Sequence, residues 1–281
     1  MGVFIIAEAG VNHNNDLSLA KQLVEQAKAA GADAVKFQTY KTNDLVTLDA
    51  PKANYQKNNT DQMTADTQYK MLKDLELSKE HHEEILQHCI KNSIEFMSTA
   101  FDVDSLKFLV DLGIKRIKVP SGEITNFPLL QHIAAQHLPI ILSTGMSDLQ
   151  EIADALQVIY QVNPQAEVAI LHCTSSYPAP YSDVNLNALL TLKKQFGLPI
   201  GYSDHTSDIL ISPVAVGMGA VVIEKHFTLD KNLPGPDHKM SLSPAELKEL
   251  VTKIRKVEQA LGDGIKKPSE SELEVRSVAR R

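Results

Sequence analysis

Apolar residues in this chain fall into short, nearly unbroken runs rich in Val and Ile, separated by longer stretches in which they recur every three or four positions. Eight runs read as strands: FIIAEAG from Phe4, AVKFQTY from Ala34, IEFMSTA from Ile94, RIKVPSG from Arg116, PIILSTG from Pro139, VAILHCT from Val168, PIGYSDH from Pro199 and VVIEKHF from Val221. Helical patterns follow them over Leu17 to Ala30, Lys79 to Lys91, Val103 to Leu112, Leu129 to Gln136, Leu149 to Val162, Leu186 to Gln195, Ile209 to Met218 and Ala245 to Leu261. Strand, crossover helix and next strand is the pattern of a parallel sheet buried on both faces, which is why the runs barely alternate. Eight such units predict an α/β fold of the closed (β/α)8 TIM-barrel type, and no Gly-rich dinucleotide fingerprint follows the first strand. Asp16, Ser78, Asp102, Ser147 and Ser243 are placed to cap helices, and Gly31, Gly113 and Gly262 to end them.

Two segments stand outside this rhythm. Lys41 to Tyr69, rich in Asn, Asp, Thr and Gln, is a long connection after the second strand and reads as a functional loop. The barrel spans residues 1–262, and residues 263–281 read as a charged, linker-like tail.

Composition narrows the function classes. With 28 basic and 35 acidic side chains the chain carries a formal charge of −7, which argues against nucleic acid as a partner, and its 43% apolar content excludes a disordered chain. Two cysteines within apolar segments fit a reducing, cytoplasmic setting. No apolar run approaches the ~20 residues of a membrane span, so no membrane partner is expected.

Barrel enzymes build their sites at the C-terminal ends of the strands, where residues of one parity face the mouth. Glu8, Gly10 and Asn12 share a parity on the first strand, as do Lys36 and Gln38 on the second, Gly201, Ser203 and His205 on the seventh, and Glu224 and His226 on the eighth. Two lysines within apolar strands, Lys36 and Lys118, together with carboxylates point to an anionic substrate. His205 and His226 end neighbouring strands and could share one divalent ion, with Glu8 and Asp237 nearby; that N/O donor set suits Mn²⁺ better than structural zinc. A pair of hydrogen-bonded barrel histidines would leave the same pattern. His81, His82, His88, His132 and His137 read as ordinary surface residues. Adjacent strand residues face opposite ways, so His172 and Cys173 do not form a dyad, and Cys173 is expected behind the barrel wall. Hydroxyl-bearing turns at Ser98 to Phe101, Pro120 to Glu123, Ser143 to Gly145 and Cys173 to Pro178 offer amides and hydroxyls for a phosphate.

Taken together, EAGVNHN (Glu8 to Asn14), VKFQTY (Val35 to Tyr40), KVPSGE (Lys118 to Glu123), ILSTGMS (Ile141 to Ser147), LHCTSSYPAP (Leu171 to Pro180), GYSDHT (Gly201 to Thr206) and EKHFTLD with PGPDHKMSL (Glu224 to Leu242) resemble the N-acetylneuraminate (sialic acid) synthase family, including the legionaminic acid synthases. The resemblance covers essentially the whole chain. It implies a transferase that condenses phosphoenolpyruvate with an N-acetylated hexosamine, N-acetylmannosamine or a 2,4-diacetamido relative, to a nine-carbon 2-keto acid and phosphate. His205 and His226 would then bind Mn²⁺, Mg²⁺ or Co²⁺. Lys36, Thr99, Lys118, Ser121, Ser143, Ser175 and Ser203 would hold phosphoenolpyruvate, and Gln38, Glu123, Tyr177 and Asp237 would face the sugar, joined by Asn58 or Asn59. Glu8 or Glu123 is the expected general base. The resemblance further implies a homodimer in which a C-terminal antifreeze-like (SAF) domain, absent from this sequence, covers the partner's barrel. A non-catalytic binding barrel and another phosphoenolpyruvate-condensing synthase or aldolase remain as alternatives.

Overall fold

The structure, a computed structural model, describes residues 2–60 and 66–280, without the side chains of Asn54, Tyr55, Asn58 and Ser277. Eight parallel strands close into a barrel in sequence order: β1 (Phe4–Gly10), β2 (Ala34–Thr39), β3 (Glu95–Ala100), β4 (Ile117–Val119), β5 (Ile140–Ser143), β6 (Val168–Cys173), β7 (Ile200–Asp204) and β8 (Val222–His226). The crossover helices are α1 (Leu17–Ala30), α2 (Lys79–Lys91), α3 (Val103–Asp111), α4 (Phe127–Ala134), α5 (Leu149–Val162), α6 (Ala188–Phe196), α7 (Ile211–Gly217) and α8 (Pro244–Leu261). Among the described residues no helix is long and apolar enough to cross a membrane.

Local chemistry sets these bounds. The Asp16 carboxylate accepts from the Ser18 and Leu19 amides to start α1, and Gly31 ends it at φ +87°, a left-handed conformation that disfavours residues with a Cβ. Between them Ala20, Leu23, Val24, Ala27 and Ala30 form the buried stripe that packs on the barrel. Ser78, Asp102 and Ser243 cap as the pattern predicts. Ser147 does not: Asp148 caps α5 in a reciprocal box with Glu151, because the carboxylate one residue on meets a Glu three positions later.

The barrel interior is layered. Ile6, Ala34, Met97, Ile141, Leu171 and Val222 fill the floor with an apolar plug. Gly201 is required there, since a Cβ would lie 2.4 Å from Leu171 Cδ2 and 2.5 Å from the Val222 carbonyl oxygen. Two residues further along these strands the period of two brings up Glu8, Lys36, Thr99, Ser143, Cys173 and Glu224. The polar layer therefore rests directly on an apolar base.

The segment after β2 is more ordered than a plain loop. It contains short helices Thr42–Leu45, Asn54–Asn59 and Gln68–Leu75, while residues 61–65 lie outside the described residues. Met71 and Leu75 pack with Val11 and Tyr40 in a satellite core, and the Thr42 amide and hydroxyl both donate to Glu76 Oε2. The tail forms a helix, Glu270–Ala279, whose described side chains are all exposed.

Candidate active site

A cavity of about 240 Å³ opens at the C-terminal ends of the strands. A larger cleft of about 660 Å³ lies on the outer wall between α1 and α2, but its lining is solvated surface charge such as the Lys21–Glu84 pair, with nothing converging on a ligand. Buried titratable side chains converge on the smaller one.

Its base is a buried chain of alternating charge. Lys36 Nζ lies 2.9 Å from Glu8 Oε2 and 3.6 Å from Glu224 Oε2, and Lys118 Nζ lies 3.5 Å from Glu224 Oε1. All four residues are at most 4% exposed. Hydroxyls complete the layer: Lys36 donates to Thr99 Oγ1 at 2.9 Å, Lys118 to Ser143 Oγ at 2.8 Å, and Ser203 Oγ to Glu224 Oε1 at 2.9 Å. The two carboxyls part company electrostatically. Burial lifts Glu8 to about 7, although Lys36 pulls the other way. Burial would raise Glu224 too, but Lys118 and Lys36 together outweigh it and hold that group at about 2. Glu224 is thus the permanent anion between two ammoniums, and Glu8 is the carboxyl able to exchange a proton near neutrality.

Above the Glu8 and Glu224 end of this layer stand two imidazoles: His226 is the register partner of Glu8, and the His205 and His226 ring centroids are 5.7 Å apart. Tyr177 lies 4.3 Å from the His205 ring and meets His226 edge-on. His205 Nδ1 faces the Thr174 carbonyl oxygen at 2.7 Å, so it carries the proton and donates it there. Its Nε2 is 3.3 Å from Ser203 Oγ, whose one proton goes to Glu224, leaving the Nε2 lone pair unfilled. Burial pushes His205 down to about 4 and His226 well below its ordinary value, so both rings are neutral near pH 7. His226 Nδ1 is buried without a hydrogen bond, 3.9 Å from Asp237 Oδ2. Neutral imidazoles with free lone pairs beside a carboxylate are a fitting donor set for a divalent ion. No trio of His, Cys, Asp or Glu among the described residues converges closely enough to hold an ion unaided.

Asp237 is carried in by the segment after β8. Asn12 Nδ2 donates to the Phe227 carbonyl and to Ser241 Oγ, and Ser241 in turn donates to the Asp237 carbonyl at 2.6 Å. Burial raises the Asp237 carboxyl to about 6. Around Gly10, Glu8 Oε1, Asp237 Oδ2 and Gln38 Nε2 all approach within 3.6 Å of where a Cβ would lie, so Gly10 leaves these groups room to converge. Gly145 does the same for the hydroxyl turns: a Cβ there would lie 2.4 Å from Ser121 Cβ and 2.5 Å from Ser175 Oγ, and the two hydroxyls are 3.2 Å apart.

The structure therefore gathers Glu8, Lys36, Gln38, Thr99, Lys118, Ser121, Ser143, Tyr177, Ser203, His205, His226 and Asp237 around one cavity, with Ser175 behind Ser121. Glu123 is set apart: it lies in the turn Ser121–Glu123 off the cavity lining, and its carboxylate accepts from Asn126 Nδ2 at 2.7 Å. Asn59 Nδ2 donates to the Pro236 carbonyl at 2.7 Å, tying the loop after β2 to the segment that bears Asp237. The Asn58 side chain lies outside the described residues. Two expectations are corrected. Cys173 lines the cavity instead of lying behind the wall, because His172 turns outward to the Val184 carbonyl and the Tyr202 ring. His82 is buried, 1% exposed, between Thr39 Oγ1 and the Ser78 carbonyl. The position of Glu224 between Lys36 and Lys118 is one that the sequence reading does not reach, although parity with His226 puts it on the inner face.

Comparison with known proteins shows the family. Residues 23–266 match the NeuB family. The chain is 57% identical to an N,N'-diacetyllegionaminic acid synthase of Legionella pneumophila, over 100% of this chain and 79% of that one. It is 51% identical to the protein of that name from Campylobacter jejuni, over 99% and 83%. A crystal structure of N-acetylneuraminic acid (sialic acid) synthetase from Leptospira borgpetersenii, in complex with citrate, superposes with a TM-score of 0.87 at 37% identity, covering 100% of this chain and 93% of that one. The chain is an enzyme, a transferase, and belongs to the NeuB family.

Proposed function

We propose that this chain condenses phosphoenolpyruvate with a 2,4-diacetamido sugar, giving a legionaminic-type nine-carbon 2-keto acid and phosphate. The carrying observation is the buried Glu8–Lys36–Glu224–Lys118 chain beneath a ring of hydroxyls, a floor that offers fixed cations to a small, multiply charged anion. The diacetamido choice is supported by the two relatives above half identity.

Lys36 and Lys118 neutralise the carboxylate and phosphate of the bound anion, and Ser121, Ser143 and Ser203 orient it. Gln38, Tyr177 and Asp237 line the acceptor side and hold the open-chain aldehyde against C3 of phosphoenolpyruvate. A Mn²⁺, Mg²⁺ or Co²⁺ ion at His205 and His226 would supply Lewis-acid polarisation of the aldehyde oxygen. The C3–C1 bond forms, and cationic character develops at C2. Glu8, poised near 7, takes a proton from the water that adds to C2 and gives it to the leaving phosphate oxygen as the C–O bond breaks, while the C2 hydroxyl proton released as the keto group forms ends on the C1 oxygen left by the aldehyde. Glu123 lies off the cavity lining, which leaves Glu8 as the better placed of the two bases expected.

Phosphate release tests the reading. Protein with phosphoenolpyruvate and Mn²⁺ should release phosphate with the diacetamido sugar faster than with N-acetylmannosamine. Faster turnover of N-acetylmannosamine would overturn the acceptor assignment, and no release with any amino sugar would overturn the condensation. The resemblance extends the proposal to a cytoplasmic homodimer, which sedimentation would test.

A further inference from the structure

Behind the barrel wall, on the face turned away from the cavity, lies a second buried ion pair. Asp204 ends β7, Lys225 is its register partner on β8, and they are 0% and 1% exposed, with Nζ 3.1 Å from Oδ1. Burying two charges is unfavourable compared with burying apolar residues of the same volume, so the pair calls for an account beyond packing. Its bonds supply one. Asp204 Oδ1 accepts from the Thr206 amide at 2.9 Å and from the Thr206 hydroxyl at 2.7 Å, while Oδ2 accepts from Ser212 Oγ at 2.6 Å. Lys225 Nζ donates to the Thr206 carbonyl at 2.6 Å. The pair thus holds both backbone polar groups of Thr206, and the residue between Asp204 and Thr206 is His205. Lys225 immediately precedes His226.

We propose that the Asp204–Lys225 pair is a positioning device: by clamping Thr206 to β8 it sets the backbone of His205 against that of His226, and so the spacing of the two imidazoles. Neither residue touches the cavity. An apolar pair would fill the space equally well but would leave the chain leaving β7 free to move its imidazole. The inference rests on the reading of His205 and His226 as ligands of a divalent ion.

The double variant Asp204→Leu/Lys225→Met removes the clamp and leaves no charge stranded, whereas Asp204→Asn keeps an acceptor for Thr206 and a partner for Ser212 but leaves the buried Lys225 without its counter-ion, so it should lose stability while keeping the hold on Thr206. Calorimetric titration of Mn²⁺ into the metal-free full chain should show Kd raised about 10–100-fold in the double variant, the range for lost outer-shell support. Phosphoenolpyruvate affinity should be unchanged in it, and Asp204→Asn, though less stable, should bind Mn²⁺ with a Kd near that of the wild type. Equal loss of Mn²⁺ and phosphoenolpyruvate affinity would mean general loosening and overturn the positioning role, as would a double variant that binds Mn²⁺ normally. Wild type that binds no Mn²⁺ would instead sink the metal reading itself. Should the double variant not fold, hydrogen exchange on wild type decides: the Thr206 amide should exchange as slowly as the amides of β7, and exchange at loop rates would overturn the clamp.

Discussion

Replacing Glu224 by Gln tests the electrostatics of the floor most directly. The substitution keeps the shape and the acceptor for Ser203 but removes the one anion that both lysines share, at 3.5 and 3.6 Å. Lys36 retains Glu8 at 2.9 Å; Lys118 is left with the Ser143 hydroxyl and the Val119 carbonyl. Each attraction would be roughly 5 kcal/mol at an effective dielectric of ~20, largely offset by the desolvation already incurred. The net penalty of stranding one buried charge is ~3–5 kcal/mol. For 281 residues the unfolding entropy is ~0.6 kcal/mol/K, so the midpoint should fall by ~5–8 °C. Thermal unfolding followed by circular dichroism at pH 7.5 measures this. Saturating phosphoenolpyruvate should then raise the variant's midpoint by more than the wild type's, because the anion supplies the charge that Glu224 provided. A midpoint within ~1 °C of wild type would refute the role of Glu224 as the shared counterion. Equal shifts by phosphoenolpyruvate in both proteins would refute its link to substrate charge.

Glu8, lifted from 4.5 to about 7 by burial, binds a proton more tightly folded than unfolded, so its contribution is fully present below pH 4.5 and is lost as pH rises through about 7. Chemical denaturation at a series of pH values should therefore show a fall in stability over that window which Glu8→Gln flattens. The same variant should lose ~10²–10⁴-fold in kcat, and a variant that keeps the wild-type rate and pH profile would remove Glu8 from proton transfer. His205→Ala should stay folded by circular dichroism yet lose metal-dependent phosphate release; full activity of the variant in chelator would sink the metal role. Gly145→Ala should raise KM for phosphoenolpyruvate and destabilise by ~1–3 kcal/mol, since its Cβ would meet Ser121 and Ser175 at φ +44°; unchanged KM would show that this turn does not cradle the substrate.

The sequence by itself determined the architecture. Strand runs and helical stripes alternate with bounds that the structure moves by only a few residues, because a parallel barrel buries each strand on both faces and each helix on one. It also determined which strand ends bring polar side chains to one cavity, since a buried Lys or His within an apolar run needs a partner and strand parity says which residues share it. Parity alone could not say which of the two faces is inside where a run is uniformly apolar, and β6 is the case: whether Cys173 or His172 enters the cavity depended on Leu171 joining the floor plug, while the Val184 carbonyl and Tyr202 ring received His172. Nor could it separate Glu8 from Glu123, both carboxylates in strand-end motifs, because one side chain turns into the cavity and the other to Asn126. Likewise, only closure of the barrel brought Glu224 between Lys36 and Lys118, from three strands far apart in the chain. The energy of a buried charge is set by its neighbours within a few ångströms, and those neighbours are assigned by packing, not by sequence order.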